Sequence, residues 1–202
     1  MSRFGFAEPN PKPSGHRTLG NLLARFADSP GLSANFTEEK RIALLNKPIN
    51  NSGRLYFARP GLFARHIDKP FRSAMFLRDR KIILWDGDGT REVDLDANPA
   101  VAALATSFLS LLEGNLKILE ANYQVRFDAE LDDAWALRLE PKRDDLKRLI
   151  QKLSFSGRGL TIATMDLVEA SGDTSKTSFF NSNTHRVFSA EEKQRYFTPP
   201  KK

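Results

Sequence analysis

The side chains in this sequence that could carry out chemistry include three histidines and one acidic turn. His16, His66 and His185 are far apart and form no H-x-x-x-H pair, so their spacing does not predict a metal site. The segment Asp86-Gly-Asp-Gly89 resembles the start of a calcium loop, but its twelfth position is Ala97, where an EF-hand requires glutamate. Because Asp-Gly pairs favour positive φ, we interpret this segment as a hairpin turn.

Motifs for covalent catalysis and for phosphate binding are absent. The sequence contains no cysteine, which excludes a thiol nucleophile, a disulfide and a cysteine-based metal site. It contains neither the G-x-S-x-G motif of an exposed nucleophilic serine nor the G-x-x-x-x-G-K-[ST] phosphate loop. We therefore predict a protein that is not an enzyme and has no catalytic residues, no metal and no cofactor.

The charge pattern is that of a solvated surface. The formal net charge is +6 at pH 7, but lysine and arginine alternate with acidic residues throughout the chain. No basic run is interleaved with aromatic residues, as nucleic-acid binding would require. We predict no nucleic-acid partner.

Phenylalanine is the unusual component, with 15 residues against two tryptophans and three tyrosines. Its ring has no polar group, so these side chains must fill a core or line an apolar cavity. Composition alone favours the packed core and leaves the cavity open as an alternative. The longest apolar run, at residues 101–112, is shorter than the roughly 20 residues that a membrane helix requires.

Helical periodicity predicts one amphipathic helix at about residues 18–28 and a second at about 99–113. Thr18 is expected to cap the first helix, and Gly114 to end the second. A helical turn is predicted at residues 144–148. The two longer helices are the elements available to cover an apolar sheet face.

Short apolar runs with turns between them predict antiparallel strands from residue 54 onwards and again after residue 122. Signals for helix and strand conflict over residues 32–45, and a turn is predicted at 48–53. The pattern predicts an α+β protein with few helices against one large antiparallel sheet.

The prolines near the start predict a flexible leader over residues 1–16, followed by one domain over 17–198. The first residues contain no apolar segment typical of a secretory signal. These patterns leave two locations open: the cytosol, or an exported protein whose signal peptide has been removed.

Residues 54–70 resemble the second-strand motif of the LolA/LolB family of outer-membrane lipoprotein localisation proteins. The positions that match are Gly53, Leu55, Phe57, Arg59, Pro60, Phe63 and Pro70. Three later segments, 77–85, 111–114 and 135–141, are similar to the next hairpin of the family, the end of its middle helix and a strand that ends in proline. The similarity runs from about residue 18 to 198.

The resemblance implies an incomplete, open antiparallel β-barrel of about 10–11 strands, with helices lidding an apolar cavity. It implies a monomeric periplasmic carrier whose signal peptide has been removed. The implied cargo is an acylated lipoprotein or lipid, received from an inner-membrane transporter and passed to an outer-membrane acceptor. LolB-type members are anchored through a lipidated cysteine, so the absence of cysteine fits the soluble LolA type.

The resemblance also implies the site residues. Arg59, followed by Pro60, matches the family arginine that hydrogen-bonds the lid backbone in the closed, empty state, a role suited to five guanidinium donors. The residues expected to contact cargo are apolar: Leu22, Phe26, Phe36, Leu55, Phe57, Phe63, Ile67, Leu77, Ile83, Trp85, Leu104, Phe108, Leu109 and Leu112.

Two positions depart from the family pattern. Arg65 stands where many relatives carry an aromatic residue, and Arg80 replaces the glycine of a usual Asp-Gly turn. These departures suggest a divergent branch whose cargo is another acylated molecule, such as a glycolipid or a lipid-linked pigment. The alternative is an interaction or sensor domain of the same fold, with a filled core and a protein partner. A hydrolase of acylated substrates is disfavoured because no nucleophile–base set is recognisable.

Overall fold

The computed structural model describes residues 18–97, 99–129 and 131–200, which form one large antiparallel sheet and five α-helices. The predicted leader, residues 1–16, lies outside these ranges. The strands are β1 Gly31–Arg41, β2 Ile49–Ala58, β3 Leu62–Lys69, β4 Ser73–Arg78, β5 Lys81–Trp85, β6 Thr90–Asp94, β7 Tyr123–Ala129, β8 Ala134–Pro141, β9 Ile150–Arg158, β10 Thr161–Glu169 and β11 Thr174–Asn183.

The sheet is open, because its two edge strands do not pair with each other. The strand order is β6-β5-β4-β3-β2-β1-β11-β10-β9-β8-β7, and every neighbouring pair is antiparallel. Each half of the chain is a meander, and the pairing of β1 with β11 joins the halves. The predicted α+β fold, an incomplete barrel with few helices, is confirmed.

The helices are α1 Leu19–Ala27, α2 Pro99–Glu113, α3 Leu116–Asn122, α4 Asp144–Lys147 and α5 Ala190–Tyr196. The predicted cap is confirmed, since Thr18 Oγ1 accepts a hydrogen bond from the Asn21 N–H at 3.2 Å. Gly114 ends α2 as predicted, with φ of 73°. Among the helices of the described ranges, none is long and apolar enough to cross a membrane.

Where the local sequence signals for helix and strand conflict, pairing with strands distant in sequence determines the secondary structure. Residues 32–45 resolve mainly into β1, whose Phe36 is fully buried between β2 and β11. The turn predicted at 48–53 is wrong: β2 begins at Ile49, and the turn lies at residues 42–48. Gly53 instead lies at a β-bulge, where a Cβ atom would be 1.9 Å from the carbonyl oxygen of His66. Strand β6 and helices α3 and α5 were not predicted.

Two hydrophobic clusters lie on opposite faces of the sheet. The inner face carries the main core, which packs against α1 to α4. The outer face carries a smaller cluster of Tyr56, Phe76 and Ile83 with Phe188 and Phe197, which flank α5. The strand alternation predicted for β2 is confirmed, with Leu55 and Phe57 inward and Tyr56 outward.

Candidate functional site

Arg59 connects the end of β2 to the ends of two helices. Its Nε donates to the carbonyl oxygen of Ser29 at 2.8 Å, and its Nη2 donates to those of Phe26 at 2.9 Å and Leu112 at 3.0 Å. Phe26 is in the last turn of α1, and Leu112 is in the last turn of α2. One side chain therefore holds both helices against the same end of the sheet.

The electrostatics of this contact are favourable. The last carbonyl groups of a helix lack partners within the helix and carry partial negative charge, so a cation placed there is stabilised. The planar guanidinium can serve several acceptors at once, whereas a lysine ammonium could not match this geometry. Pro60 follows in the β2–β3 turn, joined to Arg59 by a cis peptide bond.

Most of the residues predicted to contact cargo line the space between the sheet and the helices. Phe108 of α2 stacks on Phe155 with ring centroids 5.5 Å apart, stacks on Phe179 at 6.1 Å, and meets the ring of Phe63 edge-on at 5.6 Å. The predicted residues buried in this inner core are Leu22, Phe26, Phe36, Leu55, Phe57, Phe63, Leu77, Phe108, Leu109 and Leu112. Ile67 packs at the margin of the core and is partly buried.

Two residues predicted to contact cargo lie on the outer face of the sheet, and the side chain of a third is not described. Ile83 and Trp85 belong to the outer cluster, while Ile82 and Leu84 of the same strand face inward. The strand Lys81–Trp85 is apolar at four successive positions, so its sequence does not reveal which face is buried. Leu104 lies in α2, but its side chain is outside the described part of the chain.

The second half of the sheet supplies inner residues that the sequence motif did not identify. The matching residues of the family motif lie in or next to β2 and β3, in the first half of the chain. Phe155 of β9 lies directly against Phe108, and Trp135 of β8 meets Phe26 of α1 edge-on at 6.3 Å. The alternation of apolar residues in β8 and β9 was the sequence signal for these positions.

The void found between the sheet and α2 is small in this conformation. A void of about 10 Å³ lies beneath α2, lined by Leu32, Leu55, Phe108, Ile162 and Phe179 together with Ala34 and Ser182. That volume is about that of one water probe, and an acyl chain needs far more. An acyl chain would fit at this void only if α1 or α2 moved away from the sheet.

Arg65, one of the departures from the family pattern, is paired on the inner face. Its guanidinium donates to Glu38 and lies over the Phe36 ring, 4.4 Å from the centroid. Glu38 also accepts from Asn51 at 2.9 Å and from the Thr177 hydroxyl at 3.4 Å. These polar groups mark a boundary of the apolar interior next to Phe36.

The groups considered for chemistry that the structure describes have structural partners. In the described ranges, no three His, Cys, Asp or Glu side chains are placed to hold a metal ion. His66 Nε2 contacts the carbonyl oxygen of Tyr196 at 2.8 Å, and burial lowers the pKa of His66. Asp86 accepts the N–H groups of Gly89 and Asp88 in the β5–β6 turn, which lowers its pKa. His185 is near the end of β11, and His16 lies outside the described residues.

Comparisons with known proteins agree with this architecture. A family model described as outer membrane lipoprotein carrier protein LolA-like matches residues 15–194. An outer-membrane lipoprotein carrier protein of Neisseria meningitidis serogroup B is 26% identical over 174 residues, covering 86% of this chain and 79% of that protein. One with the same name from Chromobacterium violaceum is 27% identical over 188 residues, covering 93% and 82%.

A solved structure shares the fold at low sequence identity. The match is in the complex structure of Pseudomonas aeruginosa MucA/MucB, with a TM-score of 0.50 and 12% identity. It covers 86% of this chain and 59% of that chain. At this identity the likeness concerns the fold alone.

Proposed function

This chain belongs to the LolA-like family of outer membrane lipoprotein carrier proteins, and on that premise we propose that it shields the acyl chains of lipoproteins or related acylated lipids during transfer between membranes. The acyl chains would occupy the inner face of the sheet once α1 or α2 moves away. The carrier would take cargo from an inner-membrane transporter, cross the periplasm as a soluble monomer and pass the cargo to an outer-membrane acceptor. No catalytic step is required.

The observation that carries the proposal is the contact of Arg59 with both helix ends. Phe26, Ser29 and Leu112 supply its acceptors, so loosening either helix breaks hydrogen bonds of the same guanidinium. Cargo that displaces a helix therefore acts on the closed state through one side chain. Arg59 is the latch in this proposal, and α1 and α2 are the lid.

The energies involved make such opening feasible. Hydrogen bonds to a charged group contribute roughly 1.5–3 kcal/mol each, so three total about 4–9 kcal/mol if they are additive. Burying a methylene group contributes about 0.8 kcal/mol, so about six to eleven methylenes offset the loss of the latch. One long acyl chain is sufficient on this scale, whereas a short or polar ligand is not.

The test compares a synthetic triacylated lipopeptide with the unacylated peptide of the same sequence, by co-elution with the purified protein in gel filtration. We expect a one-to-one complex with the lipopeptide and none with the peptide. Leu109→Asp, which places a charge in the inner core, should abolish the complex. Asp placed at exposed Leu44, which lies in the β1–β2 turn, is the matched control and should bind normally. Equal binding of the two ligands, or of neither, would contradict the proposal.

The small void beneath α2 supports a second candidate, an interaction or sensor domain of the same fold that binds a protein partner without lipid. The rings of Phe63, Phe108 and Phe155 occupy the space that cargo would need. This candidate predicts that neither the lipopeptide nor a fluorescent fatty acid binds, and that Arg59 substitutions affect stability alone.

A further inference from the structure

A larger cavity lies on the outer face of the sheet, away from the proposed cargo space. Its volume is about 460 Å³, and it is bounded by the sheet on one side and by the end of α5 with residues 198–200 on the other. The side chains that give it chemical character are Arg54, Tyr56, His66, Arg72, Arg195 and Tyr196. This volume is in the range of pockets that hold small organic ligands, about 300–1,000 Å³.

The aromatic wall of this cavity is fixed in place. The rings of Tyr56 and Tyr196 stack with centroids 4.5 Å apart and an interplanar angle of 16°. His66 contacts the Tyr196 carbonyl at 2.8 Å, and the next residue, Phe197, is buried in the outer cluster. The cavity is therefore formed by packed elements and does not depend on a ligand to assemble it.

The charges around the cavity are strongly unbalanced. Arg54 is held by Asp68 through two hydrogen bonds, at 2.9 and 3.1 Å, and this pair is close to neutral. Arg72 and Arg195 are exposed, and within the described ranges neither has an ion pair with a carboxylate. Arg195 lies beside the Tyr196 ring, 5.5 Å from its centroid. Two guanidinium groups thus face the cavity without a counter-charge.

The neutral groups of the cavity can also donate hydrogen bonds. Burial raises the pKa of Tyr56, so its hydroxyl keeps its proton at neutral pH. Burial lowers the pKa of His66, which keeps that ring uncharged at the same pH. The groups that would meet a ligand are therefore guanidinium and phenol donors, an arrangement that suits an oxyanion.

We propose that this outer-face cavity binds a phosphate monoester through Arg72 and Arg195. A phosphate monoester carries about 1.5 to 2 negative charges near neutral pH, which matches two uncommitted guanidinium groups, whereas a carboxylate carries one. Arginine side chains bind phosphate oxygens in a two-pronged geometry. The cavity exceeds the size of a phosphate ion and leaves room for a small organic body beside the tyrosine rings.

The first arm of the test is calorimetric titration with glycerol 3-phosphate at physiological ionic strength. We expect saturable binding to the wild type, and binding weaker by about 100-fold in the double variant Arg72→Gln/Arg195→Gln, since each charge-assisted contact contributes about tenfold or more. The control is Arg126→Gln/Arg138→Gln, which removes two exposed charges from β7 and β8 at the far edge of the sheet and should bind normally.

The second arm asks whether the phosphate is free or belongs to a lipid headgroup. Flotation with phosphatidylcholine vesicles that contain phosphatidic acid presents the same monoester on a membrane. Binding to glycerol 3-phosphate alone supports a soluble ligand. Binding to the vesicles that is lost in Arg72→Gln/Arg195→Gln and kept in the control supports a headgroup. The proposal is overturned if neither probe binds, if both double variants lose binding equally, or if glycerate binds as tightly as glycerol 3-phosphate.

Discussion

At the scale of single residues, Arg59 is the group through which lid position and cargo would be coupled. The family resemblance predicted that this arginine bonds the lid backbone. It did not identify the acceptors, since Ser29, Phe26 and Leu112 come together only when α1, α2 and the end of β2 are in place. Arg65 illustrates the same limit, because its partner Glu38 depends on the register between β1, β2 and β3.

Replacing the latch should favour the open state. In Arg59→Leu the helix-end carbonyls lose their donors, so we expect the unfolding free energy to fall by about 4 kcal/mol, the low end of the total for three charge-assisted hydrogen bonds. Lipopeptide should bind as tightly as before or more tightly, and delivery to acceptor membranes should be slowed, because closing no longer helps to expel cargo. The delivery rate is measured by monitoring, through fluorescence, the transfer of a labelled lipopeptide from the loaded protein to vesicles.

Arg59→Lys provides the control for that variant. It keeps the charge but cannot reach three acceptors with one planar group, so its transfer rate should lie between those of the wild type and Arg59→Leu. Amide exchange in α1 and α2 should be slowest in the wild type, faster in Arg59→Lys and fastest in Arg59→Leu, while the amide protons of the sheet stay protected in all three proteins. Normal transfer by Arg59→Leu would remove this residue from the mechanism.

His66 should make stability depend on pH. Burial lowers its folded-state pKa, with a further lowering by Arg54 that is opposed by the Tyr196 carbonyl and by Asp68. The neutral ring is therefore favoured in the folded protein. The stabilisation is complete above the unfolded-state pKa of about 6.5 and is lost as pH falls below it, at no more than about 1.4 kcal/mol per pH unit.

Urea unfolding of the wild type and of His66→Gln at pH 7.5, 6.5 and 5.5 tests this. The wild type should lose more free energy of unfolding over that interval than the variant, whatever the variant's absolute stability. Parallel pH profiles for the two proteins would show that His66 is not buried as a neutral ring.

At the scale of elements, the two longer helices, α1 and α2, are predictable because local sequence determines them, whereas the seven-residue α3 and α5 are not. The apolar stripe and the Thr18 cap identified α1, and the apolar run that ends at Gly114 identified α2. Strand β1 is not predictable from local sequence, because Phe36 is buried by its partner strands β2 and β11. The inner face of β5 is not predictable either, because four successive apolar residues give no alternation that identifies the buried face. These features depend on contacts distant in sequence.

Gly114 determines how closely α1 and α2 approach at their latched ends. Its φ is 73°, and a Cβ atom there would lie 2.3 Å from the Leu23 carbonyl oxygen of α1. Gly114→Ala should therefore lower the free energy of unfolding by more than the roughly 1–2 kcal/mol that backbone strain at positive φ alone would cost. Gly172→Ala is the matched control, since its φ is 92° but its added Cβ would meet no atom within 4 Å.

Thermal and chemical unfolding of the two alanine variants measures the difference. We expect Gly114→Ala to be less stable than Gly172→Ala by about 1–3 kcal/mol, with faster amide exchange in α1. Equal stabilities would mean that the helix ends separate at no cost and that their approach is not fixed by Gly114.

At the scale of the whole molecule, two meanders joined at β1 and β11 form an open sheet with an apolar inner face and a separately covered outer face. The sequence motif pointed to the inner residues of the first meander, but not to Trp135 or Phe155 of the second. The open sheet and its helices were implied by the family resemblance. The resemblance does not imply the ring packing of Phe108 on Phe155 or of Phe26 on Trp135, since these contacts depend on how the helices sit on the second half of the sheet.

The most direct test of the proposed carrier function uses the two tryptophans as reporters of opposite faces. Trp135 is buried on the inner face beneath Phe26, and Trp85 lies in the outer cluster. Trp85→Phe and Trp135→Phe therefore give two proteins with a single reporter each. A lipopeptide whose acyl chains carry bromine quenches an indole that it contacts.

We expect the brominated lipopeptide to quench Trp135 in the Trp85→Phe protein. It should not quench the fluorescence of Trp85 in the Trp135→Phe protein. The unbrominated lipopeptide should quench neither tryptophan. Quenching of Trp85 with Trp135 unaffected would place the acyl chains on the outer face. Failure to quench either reporter at saturating lipopeptide would contradict an acyl-chain carrier with its cargo inside the sheet.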